Sequence, residues 1–281
     1  MNRIQIALAA SLLVSRLLVA HEEPFGYVRG AQSEPPGEWE LTQWTTARMG
    51  KESGHYLGMD INTEIEVGIT RKLQMAAYLN TRYHHLENVE GTEEEFEDRN
   101  RFGLDGGSLE IKYQLLAPDN DSLGLSLYFE PGYHSIHRIS GQPGSVVEFE
   151  TILILQKNFL AGRLVTAFNW IVEPELERDD GDWETELEMA WTAGASWRLT
   201  PHWRIGAEAR LGTVFPHGRL DSAEYLAFFL GPAVHYQRNS FFGTLTVFPQ
   251  IAGWPDRQGT GGLHLDEAER LEVRLKVGVE F

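Results

Sequence analysis

The C-terminal end of the chain carries the pattern that most restricts its fold. Every odd position from Leu271 to Phe281 is apolar, and the even positions between them hold charged residues or glycine. Because successive side chains of a strand point to opposite faces, one face of this strand is continuously apolar and the other is charged. A soluble β-sandwich shows the same alternation when its apolar face lies on a core.

The same alternation recurs along the rest of the chain and predicts about twelve strands. Segments of about ten residues with this period are typical of transmembrane barrels. The predicted strands span residues 38–48, 57–69, 73–85, 107–117, 123–138, 146–158, 162–175, 183–198, 203–214, 223–237, 241–252 and 269–281.

The connectors between these strands alternate in length. Short ones are predicted at 70–72, 118–121, 160–161, 200–202 and 239–240, and longer ones at 49–56, 86–106, 139–145, 176–182, 215–222 and 253–268. Transmembrane barrels join their strands by short periplasmic turns and longer outer loops in this way. The sequence therefore predicts an all-β fold, a transmembrane antiparallel up-and-down β-barrel of about twelve strands over residues 37–281.

Four prolines fall inside predicted strands, namely Pro131, Pro174, Pro232 and Pro249. Proline cannot donate to a ladder, and a closed barrel has no free edge on which to place it. We expect either a β-bulge at each proline or strands shorter than those drawn above.

The N-terminus has the features of an export signal. A basic start, an apolar run at residues 4–14 and Ala20 before a polar segment predict a secretory signal peptide over residues 1–20. Residues 21–36 then form a periplasmic lead-in. No later segment has the run of about 20 apolar residues that a transmembrane helix needs, which excludes a helical membrane protein.

Composition narrows the possible partners. The net charge of −17 disfavours nucleic acid as a ligand. Only 5 of the 24 basic residues are lysine, and arginine holds carboxylates in a bidentate fork, so fixed ion pairs are expected. The chain has no cysteine, which excludes disulfides and thiolate chemistry.

A family resemblance rests on residues 21–27, 37–41 and 62–68 and on the final strand. In these segments the chain resembles small Gram-negative outer-membrane β-barrel proteins of about twelve strands, a poorly characterised group classed with porins and transporters of aromatic compounds. The terminal Phe281 resembles the aromatic end of the C-terminal sorting signal of such barrels. The resemblance implies the cell outer membrane as location and three partners: its lipid, its lipopolysaccharide and, through the strand ending in Phe281, the barrel-assembly machinery.

The charged faces of the predicted strands would point into the barrel. Twelve strands give a backbone diameter of roughly 24 Å, which inward side chains reduce to roughly 10–14 Å. These side chains either form an ion-paired network that fills the lumen or line an acidic, water-filled path. The predicted pore-lining residues are Glu64, Glu66, Arg82, Glu110, Lys112, Glu130, Glu184, Glu186, Glu188, Arg204, Glu208, Arg210, Glu272, Arg274 and Lys276.

No residue pattern predicts catalysis, a cofactor or a metal centre. His134 and Ser135 are neighbours on a strand and should face opposite sides, as should His84 and His85. We also expect His134 and His137 to diverge, because an odd number of positions separates them.

Two acidic connectors, at residues 87–98 and 179–182, lack the spacing of a calcium loop. The sequence leaves two interpretations of them open: a solvated surface, or weak binding of divalent cations that bridge to lipopolysaccharide phosphates.

Three functions remain open from the sequence. The first is a passive or facilitated channel for an unidentified small solute, the second is an outer-membrane hydrolase with a site at the rim, and the third is a non-conducting structural or adhesion barrel with a filled lumen. Conductance separates the first from the third, and a hydrolysis assay addresses the second.

Overall fold

The computed structural model describes residues 23–90, 96–179, 182–255 and 260–281. It is a closed barrel of twelve antiparallel strands in which each strand pairs with its neighbours in the sequence. The predicted signal peptide lies outside the described residues, and none of those residues belongs to a helix long and apolar enough to cross a membrane. The strands are β1 (Trp39–Met49), β2 (His55–Gly68), β3 (Leu73–Glu87), β4 (Arg99–Leu116), β5 (Gly124–Ile136), β6 (Pro143–Phe159), β7 (Leu164–Asp179), β8 (Asp182–Arg198), β9 (Trp203–Pro216), β10 (Leu226–Arg238), β11 (Phe241–Trp254) and β12 (Leu271–Glu280).

The first and last strands close the barrel. They pair antiparallel from Glu40 opposite Glu280 to Met49 opposite Leu271. At the end of this ladder the amide of Trp39 donates to the carbonyl of Phe281 at 3.0 Å, and the amide of Phe281 donates back at 2.8 Å. Closure leaves no edge strand to template aggregation, which confirms the predicted fold class.

The outward face of the barrel is apolar. Leu109 and Leu275, for example, are 60% and 45% exposed, while their neighbours Glu110 and Lys276 are buried inside. Exposed aromatic rings lie near both ends of the strands: Trp39, Phe159, Trp203, Phe241 and Phe281 at the end with the shorter turns, and Phe102, Trp183 and Trp254 at the other. An apolar band between two aromatic girdles is the outer surface of a transmembrane barrel.

Two predicted outer loops are partly strand. β4 begins at Arg99, eight positions before the predicted start at 107, and β7 and β8 are separated only by residues 180–181. Alternation missed the start of β4 because the register with β3 shifts between Asn80 and Thr81. Asp105 is the extra residue at this bulge, and it reverses which positions face inward. Because β7 and β8 together occupy most of residues 176–182, the long connector predicted there is wrong.

The four prolines do not each mark a bulge, and no strand ends at its proline, although β5 and β10 are somewhat shorter than predicted. At Pro174 the ladder to β8 continues in register. In the ladder to β6, the residues on either side of Pro174 that are paired, Glu175 and Val172, keep the same register. Pro232 likewise pairs in register with β9, and Pro249 with β12. Each proline therefore interrupts one ladder locally where its missing N–H would donate, and the strand continues past it.

The described part of the N-terminal segment, which we define as residues 23–36, lies inside the barrel. Phe25 and Val28 pack on the inward side chains of β7, and Ala31 packs on those of β5 and β6. The ring of Tyr27 stacks on Phe248 with centroids 4.5 Å apart. Three of the four apolar clusters among the described residues thus include the N-terminal segment, for which the sequence predicts a periplasmic lead-in.

Candidate functional site

The structure places the predicted pore-lining residues on the inward-facing positions of their strands. Eight of them are almost fully buried, whereas Glu184, near the outer end of β8, is exposed. The eight are Glu64, Glu66, Glu110, Lys112, Arg204, Glu208, Glu272 and Lys276. Glu130 on β5 and Arg82 on β3 are less completely buried. Arg210, Arg274, Glu186 and Glu188 are partly open to the space within the barrel. The set therefore divides into buried network members and residues that face a cavity.

Side chains of the barrel bind the backbone of the N-terminal segment. The carboxylate of Glu208 accepts three consecutive amides, from Gly26 at 2.9 Å, Tyr27 at 2.7 Å and Val28 at 2.9 Å. Thr246 donates to the same carboxylate at 2.7 Å. A carboxylate that accepts several N–H groups forms the stronger, charge-assisted class of hydrogen bond, so Glu208 is the main polar anchor of the segment.

Further side chains from other strands continue this binding along the segment. Asn169 accepts the amide of Arg29 at 2.7 Å and donates to its carbonyl at 3.0 Å. Gln156 accepts the amide of Ala31 at 2.8 Å, and Gln74 accepts that of Glu34 at 2.9 Å. These amides are removed from water, so each needs the partner that the barrel wall supplies.

Arg29 joins the segment to a buried acidic network. It donates to the hydroxyl of Tyr128 at 2.6 Å and lies 3.4 Å from Glu110. Tyr78 donates to Glu110 at 2.5 Å and lies 2.6 Å from Glu64. This cluster explains the burial of several predicted pore-lining acids: they form the ion-paired filling that the sequence left as one alternative.

Above the segment, one side of the lumen is a wall of carboxylates, which we call the glutamate wall. It is formed by inward positions of three adjacent strands, on which Glu173 pairs with Glu188, Glu175 with Glu186 and Glu177 with Glu184. Like charges directly opposite one another are unfavourable, so this arrangement costs stability and fits a role other than packing. Its members are Glu148, Glu150, Glu173, Glu175, Glu177, Glu184, Glu186 and Glu188.

The connector at residues 137–142 turns inward and brings Arg138 opposite the glutamate wall. Its backbone is fixed from three strands: the Arg138 carbonyl accepts from Arg48 at 2.6 Å and lies 3.0 Å from His84, and Tyr56 donates to Ile139 at 3.1 Å. Burial alone would lower the pKa of Arg138, but the carboxylates of Glu269 and Glu188 raise it above its ordinary value. Arg138 therefore remains charged within the lumen.

Three cavities follow one another between the wall and the arginines. The outer cavity, of about 310 Å³, is lined by seven glutamates and by Arg82 and Arg138. The middle cavity, of about 190 Å³, shares Glu148, Glu188 and Arg138 with it. The inner cavity, of about 160 Å³, shares Arg210 with the middle one and ends on the backbone of residues 26–29. The shared lining shows that the three are adjacent sections of one lumen.

The charge along this lumen changes with depth. Acidic side chains far outnumber basic ones in the outer cavity. The inner cavity is balanced, because Arg29, Arg210, Arg274 and Lys276 face three glutamates there. The lining of the outer section is thus predominantly acidic, while the inner section holds the basic residues that lie against the N-terminal segment.

Among the described residues, two groups of three carboxylates are close enough to gather a cation. The oxygens of Glu148, Glu173 and Glu175 lie within 4.8 Å of one another, as do those of a second group, Glu64, Glu66 and Glu110. The second group already has cationic and hydroxyl neighbours in Lys112 and Tyr78, and both belong to a lumen in which acids are crowded. Proximity alone does not define a metal centre.

The structure does not pair His134 with Ser135. The ring nitrogens of His134 lie 2.5 Å from Asp105 and 2.9 Å from Glu148, while Ser135 is bound to the carbonyl of Leu104. His84 is buried and its neighbour His85 lies beside Glu87, as the alternation predicts.

The expectation that His134 and His137 diverge is wrong, because both line the outer cavity. The register between β5 and β6 shifts between His134 and Ile136, and His137 begins the connector that turns inward. Burial and the charge of Arg138 lower the pKa of His137 to about 4, so it is neutral near pH 7.

Sequence reasoning missed the cavity residues that do not lie on strands. Arg29 belongs to the N-terminal segment and Arg138 to a connector, where no alternation indicates a side-chain direction. The excess of arginine over lysine was the available signal, since several arginines make fixed ion pairs inside the barrel, such as Arg48 with Glu269 at 2.9 Å. The acidic connectors at 87–98 and 179–182 include residues outside those described.

One family model and several solved barrel structures are similar to this chain. A family model described as "Family of unknown function (DUF6662)" matches residues 17–281. No curated protein matches. Among solved structures, the COG4313 outer membrane channel from Pseudomonas putida F1 is similar with a TM-score of 0.57 at 11% identity, over 89% of this chain and 98% of that one. The NanC porin is similar with a TM-score of 0.51 at 12% identity, over 86% and 98%. At such identities the likeness shows the shared barrel fold.

Proposed function

This chain belongs to the DUF6662 family of unknown function, and we propose that it is an outer-membrane channel for small solutes with an acidic outer lumen. The apolar band with its two aromatic girdles supports the outer-membrane location, because such a surface suits lipid. In this orientation the short turns face the periplasm, and the inward connector at residues 137–142 faces the outside.

The observation that carries the proposal is the chain of cavities along the glutamate wall. A structural barrel gains stability by pairing its buried charges, whereas here seven glutamates face a cavity of about 310 Å³ with two arginines. Fixed carboxylates raise the local concentration of cations and repel anions. We therefore expect a small conductance that prefers cations, with the solute itself identified only as small enough for this lumen.

The test is ion selectivity in planar bilayers. Replacing Glu175, Glu186 and Glu188 together by glutamine should roughly halve the cation-to-anion permeability ratio at ~0.1 M salt, and the difference should shrink at ~1 M, where screening shortens the field to ~3 Å. The matched control removes three acids from exposed positions outside the cavities, with Glu87→Gln, Glu97→Gln and Asp221→Asn.

Heat-modifiable gel migration establishes that each variant has folded. A folded wild-type protein that never conducts would remove the channel assignment. A conducting protein that prefers anions would show that Arg210 and Arg274, and not the glutamate wall, control permeation.

A second candidate is a non-conducting barrel whose lumen is permanently filled. The N-terminal segment favours it, because side chains from many strands hold residues 26–34 across the barrel. Conductance of the wild-type protein decides between the two. The hydrolase alternative gains no support from His134 and Ser135, because His134 has two acidic partners and Ser135 lies on the other face.

The outer surface of the barrel also supports the partners that we propose from the sequence. Outer-membrane lipid and lipopolysaccharide would contact the apolar band and its outer girdle. Phe281, which is 66% exposed at the end of the closing ladder, is available to the barrel-assembly machinery before β12 joins β1.

A further inference from the structure

We propose that the N-terminal segment is a movable gate that closes the periplasmic half of the channel and must leave the lumen for solutes to pass. This inference rests on the proposed channel function and concerns its regulation. It assigns residues 23–34 as the gate and residues 35–38 as its pivot.

The segment obstructs the lumen in the position seen here. Residues 26–29 form the end of the inner cavity. Beside them, between Arg29 and Trp44, the remaining cavity measures about 10 Å³. That space is close to the minimum needed for a single water molecule, so the segment fills most of the lumen at this level.

The way the segment is bound makes it separable from the wall. Hydrogen bonds to the amides of Gly26, Tyr27, Val28, Arg29 and Ala31 all come from barrel side chains. Among the described residues, the backbone-to-backbone bonds that we find for the segment are at its exit, where Gly37 donates to Gly68 at 2.8 Å. Bonds to separate side chains can be exchanged for water one at a time, whereas a ladder is lost cooperatively.

The exit of the segment has the features of a pivot. Pro36 forms an isolated bridge with Gly68, and a Cβ atom at position 68 would lie 2.1 Å from the carbonyl oxygen of Pro35. Gly68 is thus required for this close passage of two backbones. Gly37 follows with φ of +83° and no atom within 4 Å of a Cβ built on it, so the backbone can turn there without a clash.

The barrel strands also leave space for the apolar side chains of the gate. A Cβ atom at position 194 would lie 2.7 Å from the ring of Phe25, so the absence of a side chain at Gly194 forms the seat of that ring. Phe25, Tyr27, Val28 and Ala31 make the apolar contacts of the gate. The remaining contacts are polar, and water that enters from the mouth can compensate for their loss.

A reversible crosslink tests whether the segment must move. The chain has no cysteine, so a Gly26→Cys, Thr246→Cys double variant carries the only two thiols. A Cβ at position 26 would lie 3.1 Å from the Cβ of Thr246. This distance is a few tenths of an ångström below the ~3.5–4.5 Å range of disulfides, so a small shift would allow the bond. Each single-cysteine variant is the matched control.

Conductance is measured on the same protein before and after reduction. We expect the oxidised double variant to open at least about tenfold less often than the reduced one, with no redox effect in either single variant. Because the double variant could fail to fold, a second variant lacking residues 23–33 is measured as well, and it should be open for most of the recording.

The outcomes separate the gate from the channel. If the oxidised and reduced forms conduct equally, or if the truncated protein conducts no more than wild type, the gate is overturned and the channel stands. If only the truncated protein conducts, the segment is a permanent plug and the gate is overturned. If no form conducts, the channel assignment falls and the gate falls with it.

Discussion

Replacing Glu208 with alanine should release the middle of the N-terminal segment without unfolding the barrel. The substitution removes both acceptor oxygens that bind the amides of Gly26, Tyr27 and Val28, and it also removes the partner of Thr246. The ladders of β9 to β8 and β10 are made by backbone atoms and remain. The effect should therefore be local.

The magnitude follows from the bonds lost. A hydrogen bond to a charged group contributes about 1.5–3 kcal/mol, although water entering the vacated space recovers part of it. For three amides we expect the local opening free energy to fall by ~3–5 kcal/mol, which corresponds to at least a hundredfold loss of protection, since ~1.4 kcal/mol is tenfold. Glu208→Gln keeps one acceptor oxygen, so the protection of these amides should lie between that of wild type and that of Glu208→Ala.

Hydrogen exchange of the amides at positions 26–28 in folded, detergent-solubilised protein measures this directly. The control is Glu269→Gln, which removes a buried carboxylate paired with Arg48 and Lys51 and should leave those amides protected. Unchanged exchange in the Glu208→Ala protein, with heat-modifiable migration intact, would refute the assignment of Glu208 as the anchor.

Three further substitutions have defined outcomes. Gly194→Val should displace the ring of Phe25 and raise the open probability in bilayers, whereas Gly212→Ala, where no atom lies within 4 Å of the added Cβ, should leave it unchanged. Arg138→Gln should increase cation preference, because it removes one of the two arginines that line the outer cavity, and reversal potentials measure the change. Val277→Asp should lower the yield of heat-modifiable folded protein, since a charge on the lipid face is unfavourable, by less than the ~2–4 kcal/mol of arginine or lysine.

Period-2 alternation was sufficient to predict most of the fold, because it reports directly which side of a strand meets an apolar surface. It located β12 and β9 closely, and it placed Glu64 and Lys276 on the inward face where the structure has them. It failed at Arg99–Asp105, where a bulge reverses the inward positions and the sequence is too polar to show a strand.

The candidate site was less predictable because much of it is not built from strands. Arg138 lies in a connector that turns inward, and Arg29 reaches the lumen from the N-terminal segment. No periodic pattern in the sequence indicates that either side chain points into the lumen. Predicted pore-lining acids such as Glu110 and Glu208 face inward as expected, but they bind neighbouring groups and do not border the cavities.

The order in which this barrel assembles follows from where its N-terminal segment binds. Strands β1 to β12 each pair with a neighbour in the sequence, and only the final pairing joins the two ends of the chain. The anchors of the segment, among them Asn169 and Glu208, are separated from it by 140 or more residues. None of these bonds can form before the distant strands are in place, so the N-terminal segment reaches its native position only after β7 and β9 have joined the sheet.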